Sequence, residues 1–271
     1  MDKCVQCPRN CGVDRKLQRG VCKAPWNPVV ASAMVHRGEE SIISGYRGSG
    51  TVFFAGCNLG CVFCQNHDIS QSCDGREMTP PELAELFLTL EKQGVHNINL
   101  VTPSHFVPPI IEAVSLAKGM GINIPFIYNS NGYDSLSSLE MADGLIDVYM
   151  PDLKYADDAY GRQFSNVPDY FSVASAALIE MYRQVGAPVI RGGVMQKGVL
   201  IRHLVMPGLQ GDSFAVLDWI KENLPAAIVN VMPQYRPEYR AAKYPEINRR
   251  PTALEYRAVT AHLKQLGLQD C

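Results

Sequence analysis

From residue 51 onwards, short apolar runs alternate with longer segments in which apolar residues recur every three or four positions. The short runs are rich in β-branched and aromatic residues and predict strands, whereas the longer segments predict helices that bury one face. The predicted strands cover 51–56, 96–101, 124–129, 145–150, 198–206 and 227–232. The predicted helices cover 79–94, 107–120, 134–142, 169–186, 211–223 and 252–266. This alternation favours an α/β fold with a parallel sheet and right-handed crossovers.

Two local signals add detail to this pattern. Thr79-Pro80-Pro81-Glu82 is typical of a helix start, because Thr caps the first turn, Pro suits it and Glu follows three residues later. Residues 25–50 combine Pro and Gly with short alternating runs, which predict a small hairpin leading into the strand at residue 51.

Composition limits the class of protein. The chain has 271 residues and is 46% hydrophobic, which fits one barrel-type α/β domain or two modest domains with a full core. A net charge of −2 and the absence of a run of about 20 apolar residues give no reason to expect nucleic acid or a membrane as partner. The nine cysteines are odd in number and clustered, and the first residues lack a signal-peptide core. We therefore expect a cytoplasmic protein whose thiols are kept for metal.

The strongest chemical motif directly follows the first predicted strand. Cys57, Cys61 and Cys64 have the spacing C-x3-C-x2-C on a loop that Gly56 and Gly60 allow to turn tightly. Soft thiolates suit iron–sulfur clusters. Because a cubane cluster contains four irons, three ligands leave one iron open, as in catalytic metal sites. A zinc knuckle and three unrelated buried thiols are the alternatives, and the regular spacing on one loop disfavours both.

These residues resemble the radical S-adenosylmethionine (SAM) enzymes, whose signature is C-x3-C-x-aromatic-C with Phe63 in the aromatic position. The longer run through Asn66 and Asp68 is similar to the pyruvate formate-lyase activating enzymes. The resemblance implies a partial (β/α)6 TIM-like barrel, a 4Fe-4S cluster on the three cysteines and SAM on the fourth iron. Phe63 and Asn66 would lie beside these cofactors. It also implies reductive cleavage of SAM to a 5'-deoxyadenosyl radical that abstracts hydrogen from a substrate.

A second cysteine group, formed by Cys4, Cys7, Cys11 and Cys22, lies near the start of the chain. Four thiolates in so short a segment predict a closed tetrathiolate site, and metal would supply folding energy that the few apolar residues cannot. Zinc and a second 4Fe-4S cluster both fit these ligands, and a metal-free segment is the third alternative. We expect residues 1–47 to form this module with its linker and 48–271 the barrel. The plain activating enzymes lack such a module, so the resemblance implies a divergent branch.

In a barrel of this type, reactive groups lie at the C-terminal ends of the strands. Thr102 and Ser104 follow the second strand, where the family commonly has a Gly-Gly-Glu turn that holds the amino group of SAM. The resemblance therefore implies an altered amino contact, with an ordinary capping turn as the alternative. Asn131 follows the third strand in a segment similar to the Thr-Asn-Gly-Phe of the activating enzymes, which predicts a ligand-facing turn. His105 is more typical of a structural histidine.

The remaining strand ends supply charged candidates. Asp152 and Lys154 follow the fourth strand, similar to the family's Leu-Asp-Leu-Lys, and could bind a ligand or pair with each other. Arg202 and His203 are adjacent on the fifth strand, so they point to opposite faces and only one can face the interior. There Arg202 would bind the SAM carboxylate, or His203 the ribose. Met232, at the end of the sixth strand, would pack against the adenine.

Three functions follow from these observations. The first is an activating enzyme that abstracts hydrogen from a glycine of a partner protein, for which the resemblance implies a flavodoxin- or ferredoxin-type electron donor. The second is radical modification of another peptide or a small molecule, and the third is a non-enzymatic metal or redox binding protein. Residues 235–250 interleave tyrosines with basic residues, a mixture that can bind nucleic acid. In a slightly acidic protein we instead expect a protein or peptide partner, and neither nucleic acid nor a membrane.

Overall fold

The computed structural model of the protein describes residues 3–271. The strands are β1 (Val29–His36), β2 (Ser49–Phe54), β3 (Arg76–Glu77), β4 (Ile98–Val101), β5 (Phe126–Ser130), β6 (Val148–Pro151), β7 (Val189–Arg191), β8 (Val194–Leu204), β9 (Ile228–Met232) and β10 (Gln269–Asp270). The helices are α1 (Ser41–Ser44), α2 (His67–Ser70), α3 (Pro80–Lys92), α4 (Val107–Gly119), α5 (Leu136–Ala142), α6 (Asp158–Ser165), α7 (Tyr170–Val185), α8 (Gln210–Asn223) and α9 (Ala253–Gln265). Two 3-10 turns, Ala241–Lys243 and Pro245–Ile247, lie between β9 and α9.

All ten strands belong to one sheet, in the order β10-β9-β8-β6-β5-β4-β2-β1-β3, with β7 paired to β8. The strands β2, β4, β5, β6, β8 and β9 run parallel, and β10 adds a short parallel strand beside β9. β1 runs antiparallel to both β2 and β3. Within residues 3–271 the two ends of the sheet do not pair with each other, so the barrel is open. This arrangement confirms the predicted fold class, a partial parallel α/β barrel.

The predicted elements are confirmed in type and order. The six predicted strands coincide with the six parallel strands, and the six predicted helices coincide with α3, α4, α5, α7, α8 and α9. The sequence pattern gave no sign of α6, β7 or β10. The hairpin expected in residues 25–50 takes a different form, because its first arm is β1 and its second arm is β2, the first strand of the barrel itself.

An apolar floor closes the interior of the barrel near the N-terminal ends of its strands. Its side chains are Ile43, Ile127, Val148, Met150, Met195, Leu200 and Ile228. Ile43 comes from α1 and is fully buried, and the Asn97 side-chain amide donates a hydrogen bond of 2.8 Å to its carbonyl oxygen. Burying one such isoleucine contributes about 1.5–3 kcal/mol, so the linker after β1 is anchored inside the barrel.

The helices cover the outer face of the sheet and form the main hydrophobic core with it. In α3 the predicted helix start is confirmed: Thr79 and Glu82 form a capping box, and the Thr79 N–H donates to Glu82 Oε2 at 2.8 Å. The buried side chains of α3 recur at helical spacing and are Leu83, Ala84, Phe87 and Leu90. None of the helices in residues 3–271 is both long and apolar enough to cross a membrane.

The N-terminal segment, residues 3–28, consists of turns and packs against loops at the C-terminal side of the sheet. The Cys4 N–H donates to the Val13 carbonyl at 2.9 Å, which folds the segment back on itself. The Ser138 hydroxyl donates to the Gln6 carbonyl at 2.6 Å and joins the segment to α5. The predicted division of the chain at residue 47 stays a prediction.

Candidate active site

The three cysteines of the motif lie on the loop between β2 and α2, which the N-terminal segment braces. Gly56 adopts a φ of +78°, and a Cβ there would lie 2.5 Å from the Cys22 carbonyl oxygen. Only glycine therefore allows the two segments to approach so closely. The Asn58 side-chain amide donates to the Tyr133 carbonyl at 2.7 Å, and Arg9 Nε donates to the Asn58 carbonyl at 2.7 Å. The loop is thus fixed from two sides.

Each thiol of the motif contacts a polar side chain that lies outside the motif. The pairs are Asn131 Nδ2 with Cys57 Sγ at 3.4 Å, Ser165 Oγ with Cys61 Sγ at 3.1 Å, and Ser70 Oγ with Cys64 Sγ at 3.3 Å. Hydrogen bonds to the sulfurs tune the potential of an iron–sulfur cluster. Sequence reasoning missed both serines. Ser165 is 104 positions from its thiol, so no local spacing marks that contact, and nothing in the sequence distinguishes Ser70, which closely follows Cys64.

The cysteine loop borders a cavity of about 290 Å³ at the C-terminal ends of the strands, near the lower end of the range for ligand pockets. Ten residues proposed for the site from the sequence line it: Cys57, Cys61, Phe63, Cys64, Asn66, Thr102, Asn131, Asp152, Arg202 and Met232. Lys154, Asn129 and Gln234 line it as well. The structure therefore brings the predicted strand ends together, and the roles of these residues stay predictions.

Oppositely charged side chains form one wall of this cavity. Arg202 Nε donates to Asp152 Oδ1 at 3.1 Å, and Lys154 Nζ donates to the other oxygen of Asp152. Arg202 also donates to Asn129 Oδ1 at 2.7 Å. Burial opposes ionisation of Asp152, but Lys154 and Arg202 together outweigh it and lower the pKa of this carboxyl. Two cations thus share one carboxylate at the cavity wall.

Glu39, from the linker between β1 and α1, reaches the same charged wall. Its Oε2 lies 3.8 Å from Arg202 Nη1. Burial raises the pKa of Glu39 to about 7, with Arg202 opposing the shift and Glu40 adding to it. Glu39 is therefore only partly ionised near neutral pH, and Glu40 is a further acidic residue close enough to act on Arg202. The two cations that line the cavity, Lys154 and Arg202, are groups that can bind an anionic ligand group such as a carboxylate.

The surroundings of Cys57 and Cys61 raise the pKa of both thiols. Burial raises the pKa of Cys57 to about 12, and the neighbouring Cys61 adds to the shift. Burial also raises the pKa of Cys61, although Lys154 opposes it. Both thiols keep their protons at neutral pH until a metal displaces them, since metal ligation requires the thiolate.

Of the two candidates on β8, Arg202 faces the interior and His203 faces the helices. His203 Nδ1 lies 2.7 Å from the Leu153 carbonyl oxygen, and Nε2 lies 2.9 Å from Ser213 Oγ. Burial lowers the pKa of His203 to about 4, so the ring is neutral at physiological pH. Arg202 therefore lines the cavity and His203 does not, while the contact of either residue with SAM stays a prediction.

The turn after β4 is strained where it borders the cavity. Thr102 has a φ of +62°, an outlier for a β-branched residue, and its N–H donates to the Asn129 carbonyl at 2.8 Å. Strain of this kind clusters at ligand sites. Ser104 is buried and does not line the cavity. His105 is also buried, with Nε2 2.9 Å from the Ala55 carbonyl oxygen, as expected for a structural histidine.

The N-terminal cysteines gather at a second place. Cys4, Cys7 and Cys22 are buried, Cys11 is partly exposed, and all four border a cavity of about 10 Å³. In the part of the chain that the structure describes, no three His, Cys, Asp or Glu side chains are arranged to hold a metal ion. Zinc or a second cluster at this place stays a prediction.

Fold and site together define an open parallel α/β barrel with three thiols from one loop at its mouth. Proteins of this class include a large superfamily of radical enzymes. The chain belongs to the radical SAM superfamily, whose family model matches residues 51–220. Membership implies reductive cleavage of SAM to a radical at a 4Fe-4S cluster.

Individual relatives extend the comparison. The chain is 34% identical to an uncharacterized protein of Methanocaldococcus jannaschii over 257 residues, which cover 92% of this chain and 70% of the relative. The crystal structure of methylornithine synthase has a TM-score of 0.57 at 17% identity and covers 80% of this chain and 62% of its own. The structure of SuiB from Streptococcus suis bound to S-adenosylmethionine has a TM-score of 0.52 at 12% identity and covers 82% of this chain and 45% of its own. At these identities the two structures show the fold alone.

The residues present fit the cofactors of the superfamily. Three thiols from one loop line the cavity, each with a polar neighbour within hydrogen-bonding distance. The adjoining wall carries the cations Lys154 and Arg202, which suit the carboxylate of an amino acid cosubstrate. Cys57, Cys61 and Cys64 would therefore hold the cluster, and the cavity beside them would hold SAM.

Proposed function

We propose that this protein is a radical SAM enzyme of the activating-enzyme type, which abstracts a hydrogen atom from a glycine residue of a partner protein. The observation that carries the proposal is the convergence of three thiols and the charged strand ends on one cavity. When bound, the cluster and SAM supply a one-electron cleavage that yields a 5'-deoxyadenosyl radical. The similarity of the motif through Asn66 and Asp68 to the activating enzymes supports the finer assignment.

The protein's own residues bind and orient the cosubstrate in this proposal. Lys154 and Arg202 attract its carboxylate, and Asp152 keeps both cations in place. The strained turn at Thr102 offers backbone and hydroxyl groups to its amino group. Met232, at the end of β9, supplies an apolar surface for the adenine. Each of these residues borders the cavity.

Phe63 and the segment after β9 form a further side of the cavity. The Phe63 ring packs against Tyr235 with ring centroids 5.6 Å apart. Gln65 Nε2 donates to the Gln234 carbonyl at 3.2 Å. These contacts hold the loop that carries the three cysteines against the end of β9.

A protein or peptide partner fits the rim of the site. Residues 235–250 follow β9. The Arg240 N–H donates to the Val62 carbonyl at 2.8 Å, on the loop that carries the three cysteines of the motif. In this segment Arg236 pairs with Glu238, whereas Lys243 and Arg250 are exposed basic side chains. These exposed basic side chains favour an acidic partner. Nucleic acid is disfavoured as that partner because the net charge of the whole chain is −2.

The proposal includes a one-electron donor of the flavodoxin or ferredoxin type and a reducing, cytoplasmic location. Reductive cleavage consumes one electron for each SAM molecule, so a carrier has to supply it. All nine cysteines of the chain are free thiols, which supports a reducing compartment. Radical modification of another peptide or of a small molecule is the alternative, while superfamily membership disfavours a purely metal-binding role.

The first experiment tests for SAM cleavage. The protein, reconstituted anaerobically with iron and sulfide, is mixed with dithionite and SAM, and 5'-deoxyadenosine is quantified. We expect product from the wild type and at least a hundredfold less from Cys61→Ala, because one cluster ligand is lost. Cys271→Ala, which removes an exposed thiol, is the matched control and should match the wild type. No 5'-deoxyadenosine from a cluster-loaded wild type would refute the enzyme assignment.

The second experiment tests the substrate class. The active enzyme is mixed with purified glycyl-radical proteins, and electron paramagnetic resonance spectra are recorded. A glycyl doublet that requires SAM supports the activating role. Turnover of SAM without a glycyl doublet on any partner would instead favour the alternative, another peptide or a small molecule.

A further inference from the structure

The N-terminal segment contains a buried cation with neutral partners. Arg15 is 2% exposed. Its Nη1 donates to Gln6 Oε1 at 2.6 Å and to the His105 carbonyl, and its Nε donates to the Ala24 carbonyl at 3.3 Å. None of the ion pairs found in residues 3–271 includes Arg15. A buried charge without an opposite charge is costly, so an anion is expected beside it.

The neighbouring side chains that can become anionic are the thiols of the N-terminal cysteines. Arg15 borders the small cavity together with the four N-terminal cysteines. Three buried N–H groups in the same lining have no hydrogen-bond partner, namely Gln6 Nε2, Arg9 Nη2 and Arg15 Nη2. Unsatisfied buried donors are rare and point to an acceptor that is absent from the protein chain itself.

We propose that Cys4, Cys7, Cys11 and Cys22 bind metal as thiolates, in one zinc ion or one 4Fe-4S cluster, and that Arg15 is the fixed positive charge that stabilises this centre. Each thiol releases its proton to solvent as the metal binds. Four thiolates around either metal group leave a net negative charge. That charge pairs with Arg15, and the sulfur ligands accept hydrogen bonds from the unpaired N–H groups.

The ligand positions are consistent with binding coupled to folding. Sulfurs around one tetrahedral zinc lie about 3.8 Å apart, given Zn–S bonds of about 2.3 Å. No three side chains in residues 3–271 have a metal-holding arrangement of this kind, and this includes Cys57, Cys61 and Cys64, whose superfamily binds a cluster there. Short cysteine-rich segments take their final geometry around the metal, so we expect the four thiols to close when it binds.

The proposed centre lies directly behind the loop that carries the catalytic cysteines. The Cys22 carbonyl packs on Gly56, and Arg9 donates to the Asn58 carbonyl at 2.7 Å. Arg15 in turn holds the carbonyl of His105, in the turn after β4. The centre would therefore brace two loops that border the active cavity, and this role does not depend on which substrate the enzyme takes.

Metal analysis of a variant without the catalytic cluster tests the site. In Cys57→Ala/Cys61→Ala/Cys64→Ala, any tightly bound metal belongs to the N-terminal cysteines. The purified protein is loaded separately with zinc and with iron plus sulfide, and its metal content is measured. We expect either one zinc or about four irons per chain, and near zero when Cys7→Ala is added. A folded triple variant that binds neither metal overturns the proposal, whereas SAM cleavage by the wild type is unaffected by that outcome.

A second measurement tests the role of Arg15. In the same triple variant we expect Arg15→Met to lose metal to a chelator at least tenfold faster, and Arg15→Lys to stay near the parent rate. Arg19→Met, at an exposed arginine of the same segment, is the control and should not change the rate. Equal rates for Arg15→Met and the parent overturn the charge role. If Arg15→Met does not fold, Arg15→Lys decides: retention of metal supports the role, and loss from a folded protein refutes it.

Discussion

At the residue scale, the environment of each thiol differs even though the three belong to one short motif. Cys57 has an amide donor, whereas Cys61 and Cys64 have serine hydroxyls. The Ser165 hydroxyl also lies 3.1 Å from the Tyr155 hydroxyl, so a chain of polar groups leads away from Cys61. Spacing in the sequence identified the sulfurs, but these neighbours come from α2, the turn after β5 and α6, which only the folded chain brings together.

Removing one of these neighbours should change the cluster's reduction potential. Without its hydroxyl, Ser165→Ala loses a hydrogen bond to sulfur, and the reduced, more negative cluster is less stabilised. We expect the midpoint potential to fall by about 40 mV, which corresponds to about 1 kcal/mol for one electron. A redox titration followed by electron paramagnetic resonance measures it. Ser137→Ala, at an exposed serine, is the control, and an unchanged potential in Ser165→Ala would contradict the prediction.

At the element scale, the sequence pattern identified the parallel strands and their covering helices because these elements bury one face or both. Elements that bury few side chains were not predicted from the sequence pattern. β7 is exposed at all three residues, and α6 buries only Gly161, Phe164 and Ser165. The hairpin was misplaced for a similar reason, since strand pairing between β1 and β2 depends on the folded sheet. The failure to predict α6 had the largest effect on the site, because this helix carries Ser165, which contacts Cys61.

The turns after β5 and β6 provide a test of close packing between elements. Gly132 has a φ of +81°, and a Cβ there would collide with the Asp152 carbonyl oxygen. Gly132→Ala should therefore destabilise the protein by about 2–4 kcal/mol, through both backbone strain and steric overlap. Gly144→Ala is the matched control, because Gly144 has a φ of +77° and open space around it. We expect only about 1 kcal/mol for that variant in denaturant unfolding, and equal losses would refute the steric contribution.

At the scale of the whole molecule, the linker after β1 joins parts of the chain that lie far apart in sequence. Ile43 completes the apolar floor, and Glu39 reaches the charged wall of the cavity. The sequence could not predict this placement, because four residues of helix and two glutamates carry no periodicity. The charged wall therefore includes a residue that no sequence motif indicated, because the contact between Glu39 and Arg202 forms only in the folded chain.

The shifted pKa of Glu39 predicts a pH dependence of stability. The folded pKa of about 7 lies above the ordinary 4.5, so the folded state binds more protons between these values. Stability contributed by Glu39 is therefore present below about pH 4.5 and is lost as the pH rises through 7. We expect the unfolding free energy of the wild type, minus that of Glu39→Gln, to fall by on the order of 1–3 kcal/mol across this range. Urea unfolding at several pH values measures it. A flat difference, like that expected for the exposed Glu112→Gln, would contradict the prediction.

The apolar floor has a further consequence for how any large substrate is presented. Its seven side chains are at most 1% exposed, so the barrel has no passage from one end to the other. A polypeptide cannot thread through it and leave on the far side. Under the proposed function, a polypeptide substrate therefore enters and leaves by the open mouth of the barrel.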